Sequence, residues 1–182
     1  MIRTAARSTL LKRSIATQAA PKAQITELSN GIVVASEPNS NAATASIGVV
    51  FGSGSSAENP YSNGVSSLLS RAFSSSFASE AAKSGLSLSS TVGREFQSYI
   101  VNHKAGSSAN ALEFLQSKLN TPVQDSVFES IKASTLRDVE AFEQTQQAER
   151  VTEHLHATAF QNTPLSLPVR GTFESIEGLE KS

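Results

Sequence analysis

Apolar residues recur along this chain in two rhythms. In residues 24–37, Ile25 and Leu28 precede Ser29-Asn30-Gly31, and Ile32-Val33-Val34 follows. That order predicts a β-hairpin, because Asn-Gly supplies the positive φ angles of a tight turn. Residues 43–51, ATASIGVVF, predict a further strand, mostly buried because it does not alternate cleanly. Gly52-Ser53-Gly54-Ser55-Ser56 breaks it, and Asn59-Pro60 marks a loop. The spacing then changes to three and four. Val65, Leu68, Leu69, Ala72 and Phe73 predict a helix over 63–82, with Asn63 as its N-cap. Seven serines fall within residues 66–79 of it, and serine is a mediocre helix former, so packing must hold this helix.

Two strands are expected next, LSLSSTV (86–92) and FQSYIV (96–101), joined by Gly93-Arg94-Glu95. Residues 108–119 predict a short helix using Leu112, Leu115 and Leu119. From Gln124 to about Phe160 a helical pattern runs through Val127, Phe128, Ile131, Leu136, Val139 and Phe142. Gln144–Glu149 is almost wholly polar and marks a break between two helices, and Pro164 and Pro168 end helix formation. This order predicts an α+β fold with helices packed on one face of a mixed or antiparallel sheet.

Length and composition narrow the classes. The 182 residues allow one domain and no more than a fragment of a second. Fifteen Lys and Arg against sixteen Asp and Glu exclude a broadly basic nucleic-acid binder. No apolar run is long enough to span a bilayer. The chain has no Cys, which excludes a disulfide scaffold, a thiolate metal site and a Cys nucleophile. The charge is uneven: residues 1–20 carry Arg3, Arg7, Lys12 and Arg13 and no acid. A basic, Ser/Thr/Ala-rich leader without acids has the composition of a mitochondrial transit peptide. A negative-inside potential draws such a segment inward. Leu10-Leu11 is too short for the apolar region of a secretory signal.

Three chemical readings fail on the residues. VVFGSGSSA imitates a dinucleotide fingerprint, but Glu58-Asn59-Pro60 delays the helix past the glycines, so no helix amides face a pyrophosphate. His154 and His156 are two apart on a helix and do not face one another. His103 lies in a turn-like Asn-His-Lys-Ala-Gly segment, so capping or surface packing accounts for all three His. The serines lack a G-x-S-x-G elbow and a placed base.

Three ordered segments carry a resemblance: SNGIVVASE, ASIGVVFGSGSSAENPYSNGVSSLL and HLHATAFQNTPLSLPVRGT. In series they resemble the mitochondrial processing peptidase family, the M16 or pitrilysin-like zinc peptidases with an inverted H-x-x-E-H motif. Within it the chain is most similar to the core proteins of the mitochondrial cytochrome bc1 complex, fungal ones above all. The resemblance implies a metallopeptidase-like (LuxS/inverted-zincin-like) α+β domain. Residues 1–20 would be the transit peptide and 22–182 the N-terminal, incomplete part of the first domain.

Where active members read N-G-x-A-H-F-L-E-H, this chain reads Asn63-Gly64-Val65-Ser66-Ser67-Leu68-Leu69-Ser70-Arg71. The first zinc His falls on Ser67, the general-base Glu on Ser70 and the second zinc His on Arg71. The distal Glu ligand falls near Asp138. The inverted motif works because two His four apart grip one Zn²⁺ from one helical face. The Glu before the second His then takes a proton from zinc-bound water. Ser67 is a poor ligand, Ser70 is no base near neutral pH, and Arg71 is a fixed cation that repels a metal. The expectation is no catalytic residue, no bound zinc and no other cofactor, with an Arg71–Asp138 salt bridge where the metal would lie.

By resemblance, the function is that of a non-catalytic scaffold on the matrix side of the mitochondrial inner membrane, peripheral to the bilayer. Its partners would be the second core protein, cytochrome b, cytochrome c1 and the iron–sulfur protein, with no nucleic acid. The alternative is a processing-peptidase subunit that binds or cleaves presequences of imported proteins.

Overall fold

The computed structural model of the chain describes residues 23–180, so the expected leader lies outside the described residues. The chain divides between Ala42 and Ala43 into two units. The first contains the hairpin of β1 (Gln24–Glu27) and β2 (Val33–Ser36), paired antiparallel. Gly31 N–H donates to the Leu28 carbonyl at 2.9 Å, and Leu28 N–H to the Ile32 carbonyl at 2.9 Å. Only Gly31 takes positive φ, at 82°. Asn30 instead accepts the Ile32 N–H on its side-chain oxygen at 3.1 Å. The expected two positive-φ residues are therefore one, because the turn is a three-residue loop ending in a left-handed glycine.

In the second unit, β3 (Thr44–Phe51), β4 (Ser87–Val92) and β5 (Gln97–Lys104) form an antiparallel sheet in the order β3-β5-β4. The register aligns Ile47, Val101 and Leu88 in one row and Val49, Tyr99 and Ser90 in the next. Two-residue alternation turns this set to one face. Helix α1 (Val65–Lys83) and α2 (Ser108–Leu119) cover that face. Phe73 and Ala81 from α1, Ala111 and Leu115 from α2, and Leu86, Tyr99 and Val101 form the core between them. The buried stripe of α2 is Ala111 and Leu115, while Leu112 is exposed, so small Ala rather than Leu fills the close contact.

The remaining helices are α3 (Asp125–Thr145), α4 (Gln147–Ala159) and α5 (Phe173–Glu177). Ile131 and Val139 of α3 and Ile176 of α5 pack on Leu68 and Ala72 of α1. α1 thus lies against the sheet on one side and α3 on the other, which is how packing sustains a serine-rich helix. Its serines also have a use: Ser70 Oγ donates to Ser90 Oγ of β4 at 2.8 Å, and Ser90 Oγ donates to the Ser70 carbonyl at 2.9 Å.

Four sequence expectations need correction here. Strand β3, expected to be mostly buried, is mostly exposed, with only Ile47 and Val49 half-buried, because it is an edge strand covered on one face alone. The N-cap of α1 is Gly64, at φ 101°, not Asn63. β5 runs on to Lys104, three residues beyond the expected strand. It carries His103 into the interior, 3% exposed, where Nδ1 meets the Lys104 carbonyl at 2.8 Å. The turn expected at this His and its surface placement are both overturned, because polar Asn102 occupies the open face and hides the strand's alternation. Burial also pushes the Tyr99 hydroxyl above its ordinary pKa of 10.0. The unfolded chain ionises this phenol at lower pH than the folded state does. Stability is therefore expected to fall as pH rises past 10.0. Urea unfolding at rising alkaline pH checks this, with Tyr99→Phe abolishing that part of the decline.

Candidate functional site

The site expected from sequence begins at the N-terminus of α1, where helix amides need acceptors. Glu58 supplies them from the preceding loop. Its buried carboxylate accepts the Gly64 N–H at 2.8 Å, the Ser66 N–H at 2.7 Å and the Asn63 side-chain amide at 3.0 Å. Negative charge here also suits the helix dipole. Asn63 passes the connection on, donating to the Pro168 carbonyl at 3.0 Å and accepting from Ser175 Oγ at 2.8 Å on its own carbonyl. Glu58→Ala is expected to lower stability by about 2 kcal/mol, from the lost cap and three stranded donors. Urea unfolding measures it, with Glu58→Gln losing less.

So anchored, α1 presents Ser67, Ser70 and Arg71 along one wall of a groove of about 570 Å³. Ser90, Thr91 and Val92 of β4 line the same groove, as do Phe142, Glu149, Thr152 and Glu153 from α3 and α4 and Val169 and Arg170 from the loop before α5. The structure brings Arg71 and Asp138 together in the expected ion pair. The acids lining the groove are nevertheless Glu149 and Glu153. Glu149 pairs with Arg170 at 3.1 Å, and Glu153 with Arg94 at 2.6 Å. The Arg170 guanidinium lies 4.6 Å from the centre of the Phe142 ring.

Sequence reasoning missed Glu149, Glu153, Arg94 and Arg170. Helical spacing says nothing of partners 21 and 59 residues away. The available signal was the polar stretch 144–149, which places the α3–α4 break at Gln146 and so turns α4 toward the groove.

The donor set does not suit zinc. Ser67 offers a neutral hydroxyl, Ser70 spends its proton on Ser90, and Arg71 puts a paired cation where a ligand is needed. Among the described residues, no three His, Asp or Glu side chains come together as metal ligands. The glycine loop is equally committed. Ser55 and Ser56 N–H donate to the Gly93 and Arg94 carbonyls at 3.2 and 2.8 Å. A Cβ on Gly54 would lie 2.4 Å from the Gly93 oxygen. Gly54 thus serves close backbone packing against the turn that carries Arg94, whereas Gly52 has open space around it.

The sequence profile of insulinase, peptidase family M16, matches residues 33–173. The chain belongs to the M16 peptidase family. It is 54% identical to the mitochondrial cytochrome b-c1 complex subunit 1 of Saccharomyces cerevisiae, over 98% of this chain and 41% of that protein. The probable mitochondrial-processing peptidase subunit beta of Schizosaccharomyces pombe is 33% identical, over 94% of this chain and 39% of that protein. Among solved structures, a chain of the Candida albicans complex III2 matches with a TM-score of 0.66 and 32% identity. That match covers 86% of this chain and 37% of the other. The M16 chain thus spans about two fifths of the length of these relatives. The match also bears out the α+β, peptidase-like fold expected from the sequence.

Proposed function

We propose that this chain is the N-terminal part of a non-catalytic core subunit of the mitochondrial cytochrome b-c1 complex. The observation that carries the reading is the 54% identity to the yeast subunit 1, against 33% to the processing-peptidase beta subunit. Both belong to one family, so the difference bears on the branch. The resemblance to a complex III2 chain in fold and sequence points the same way.

The groove supports the non-catalytic half of the proposal. A peptidase of this type needs a base and a metal that polarises the scissile carbonyl. Here the base position is Ser70, bonded to Ser90, and the second His position is Arg71, paired with Asp138. What remains is a packed α+β body that keeps its shape without the chemistry. A subunit of this kind serves as scaffold, docked on the matrix side of the inner membrane beside the second core protein. It supports cytochrome b, cytochrome c1 and the iron–sulfur protein. Among the described residues no helix is long and apolar enough to cross a membrane, which fits a peripheral position.

Affinity purification of the tagged chain from yeast mitochondria tests the assignment. Recovery with cytochrome b and cytochrome c1 is expected. Recovery with the partner subunit of the processing peptidase, and without the cytochromes, would overturn it.

A further inference from the structure

α4 is built inside out. None of its thirteen residues is buried. Its half-buried positions are Arg150, Glu153 and His156, while Val151 and Leu155 are 68% and 65% exposed. A surface helix ordinarily turns an apolar stripe inward and its charges outward. What holds α4 is therefore mainly charge and hydrogen bonding. Glu153 pairs with Arg94 at 2.6 Å, and these two side chains are only 29% and 17% exposed. Arg94 Nε also reaches the Leu165 carbonyl at 3.3 Å. Glu149 pairs with Arg170, and Arg150 donates to the Glu143 carbonyl at 2.7 Å.

Open space lies beneath the helix as well. Glu149, Thr152 and Glu153 line the 570 Å³ groove shared with Ser67, Ser70 and Arg71. Arg150, Glu153, His154 and Ala157 line a second cavity of about 200 Å³. One residue, Gln146, separates α4 from α3, at φ −102° and ψ 65°, outside the helical range. A break at Gln146, a short turn from Phe160 to Thr163 at the other end, charge contacts on the inner face and little apolar burial describe an element that can open locally below the cost of global unfolding.

We propose that α4 is a charge-held gate over this groove, lifting as a unit about Gln146 when the Arg94–Glu153 pair is screened or removed. In the closed position it covers the Ser67–Arg71 face of α1. In the open position that face meets solvent, while the sheet and its two covering helices stay folded on their own apolar core.

Hydrogen exchange followed by mass spectrometry on the whole chain tests the gate, in salt rising from about 0.05 to 0.5 M. In the wild type, amides of residues 147–159 are expected to exchange about threefold faster at high salt, because the pair is partly buried and screened less than a surface pair, with residues 65–83 unchanged. In Glu153→Gln, which leaves the Arg94–Leu165 contact in place, the same amides exchange fast already at low salt and respond much less to more. If α4 ignores both salt and substitution, the gate does not exist. If α1 accelerates in step with α4, the ion pair holds the whole fold and the proposal also fails. The wild-type salt series decides the matter should the variant not fold.

Discussion

Gly171→Ala is expected to lower the stability of the fold by about 3 kcal/mol. Gly171 sits at φ +83°, where an L side chain is strained. A Cβ there would meet Gly64 Cα at 2.8 Å, the Asn63 carbonyl at 3.0 Å and Ile176 Cδ1 at 3.0 Å. Two of these contacts are backbone and cannot swing aside. Gly64, itself at φ +101°, faces Gly171 from the start of α1. The two glycines let the loop before α5 lie directly on the helix entrance, where Asn63 and Ser175 bond across it. Separating them would loosen the end of α1 that carries Ser67, Ser70 and Arg71. Gly85→Ala is the control. That glycine is at φ +69° with nothing within 4 Å, so only backbone strain of about 1 kcal/mol is expected. Urea unfolding of the two variants separates overlap from strain. Equal losses would contradict the close approach.

A second large effect is expected in the opposite direction, a gain of metal binding. Ser67→His, Ser70→Glu and Arg71→His together place two imidazoles four apart on the groove face of α1. They also remove the cation and leave Glu149 across the groove as a third ligand. Zinc affinity is expected to rise by at least about 100-fold over the wild type, read by competition with a chromophoric chelator. Adding Glu149→Ala to the triple variant should reverse most of the gain. Should Asp138→Ala reverse it instead, the third ligand is the acid on α3, and the role assigned to Glu149 is mistaken.

The comparison between these two acids marks what a sequence conveys. Ser67, Ser70 and Arg71 were legible because they are local: their spacing and the Asn63-Gly64 entrance lie within one helix. The body of α1 was legible for the same reason, since Leu68, Ala72 and Phe73 recur at helical spacing and all are buried. Asp138 and its pairing with Arg71 could be anticipated only through the family resemblance. Glu149 stayed hidden because its place depends on the α3–α4 break, which reorients every residue after Gln146. Glu58 stayed hidden for a related reason. A carboxylate capping a helix from outside, six and eight residues ahead of the amides it accepts, leaves no local pattern. His103 misled because neighbouring Asn102 is polar for the outer face, where it accepts a hydrogen bond from Ser46 Oγ at 2.6 Å.

On the proposed reading, the picture is a peptidase-like body whose site serves shape rather than chemistry. Serine hydroxyls tie α1 to β4, and arginines tie α1, α4 and the loop before α5 to their acidic partners. On that reading, the bonds of Ser70 and Arg71 occupy positions that the hydrolytic chemistry would need different. Such a site favours holding shape over turning over substrate.

The zinc content of the purified wild-type chain, after saturation with zinc and removal of the excess, tests this most directly. Well under about 0.1 ion per chain is expected, since a neutral hydroxyl is a poor ligand and a paired guanidinium is none. One tightly held ion per chain, lost on substituting Ser67 or Glu149, would contradict it.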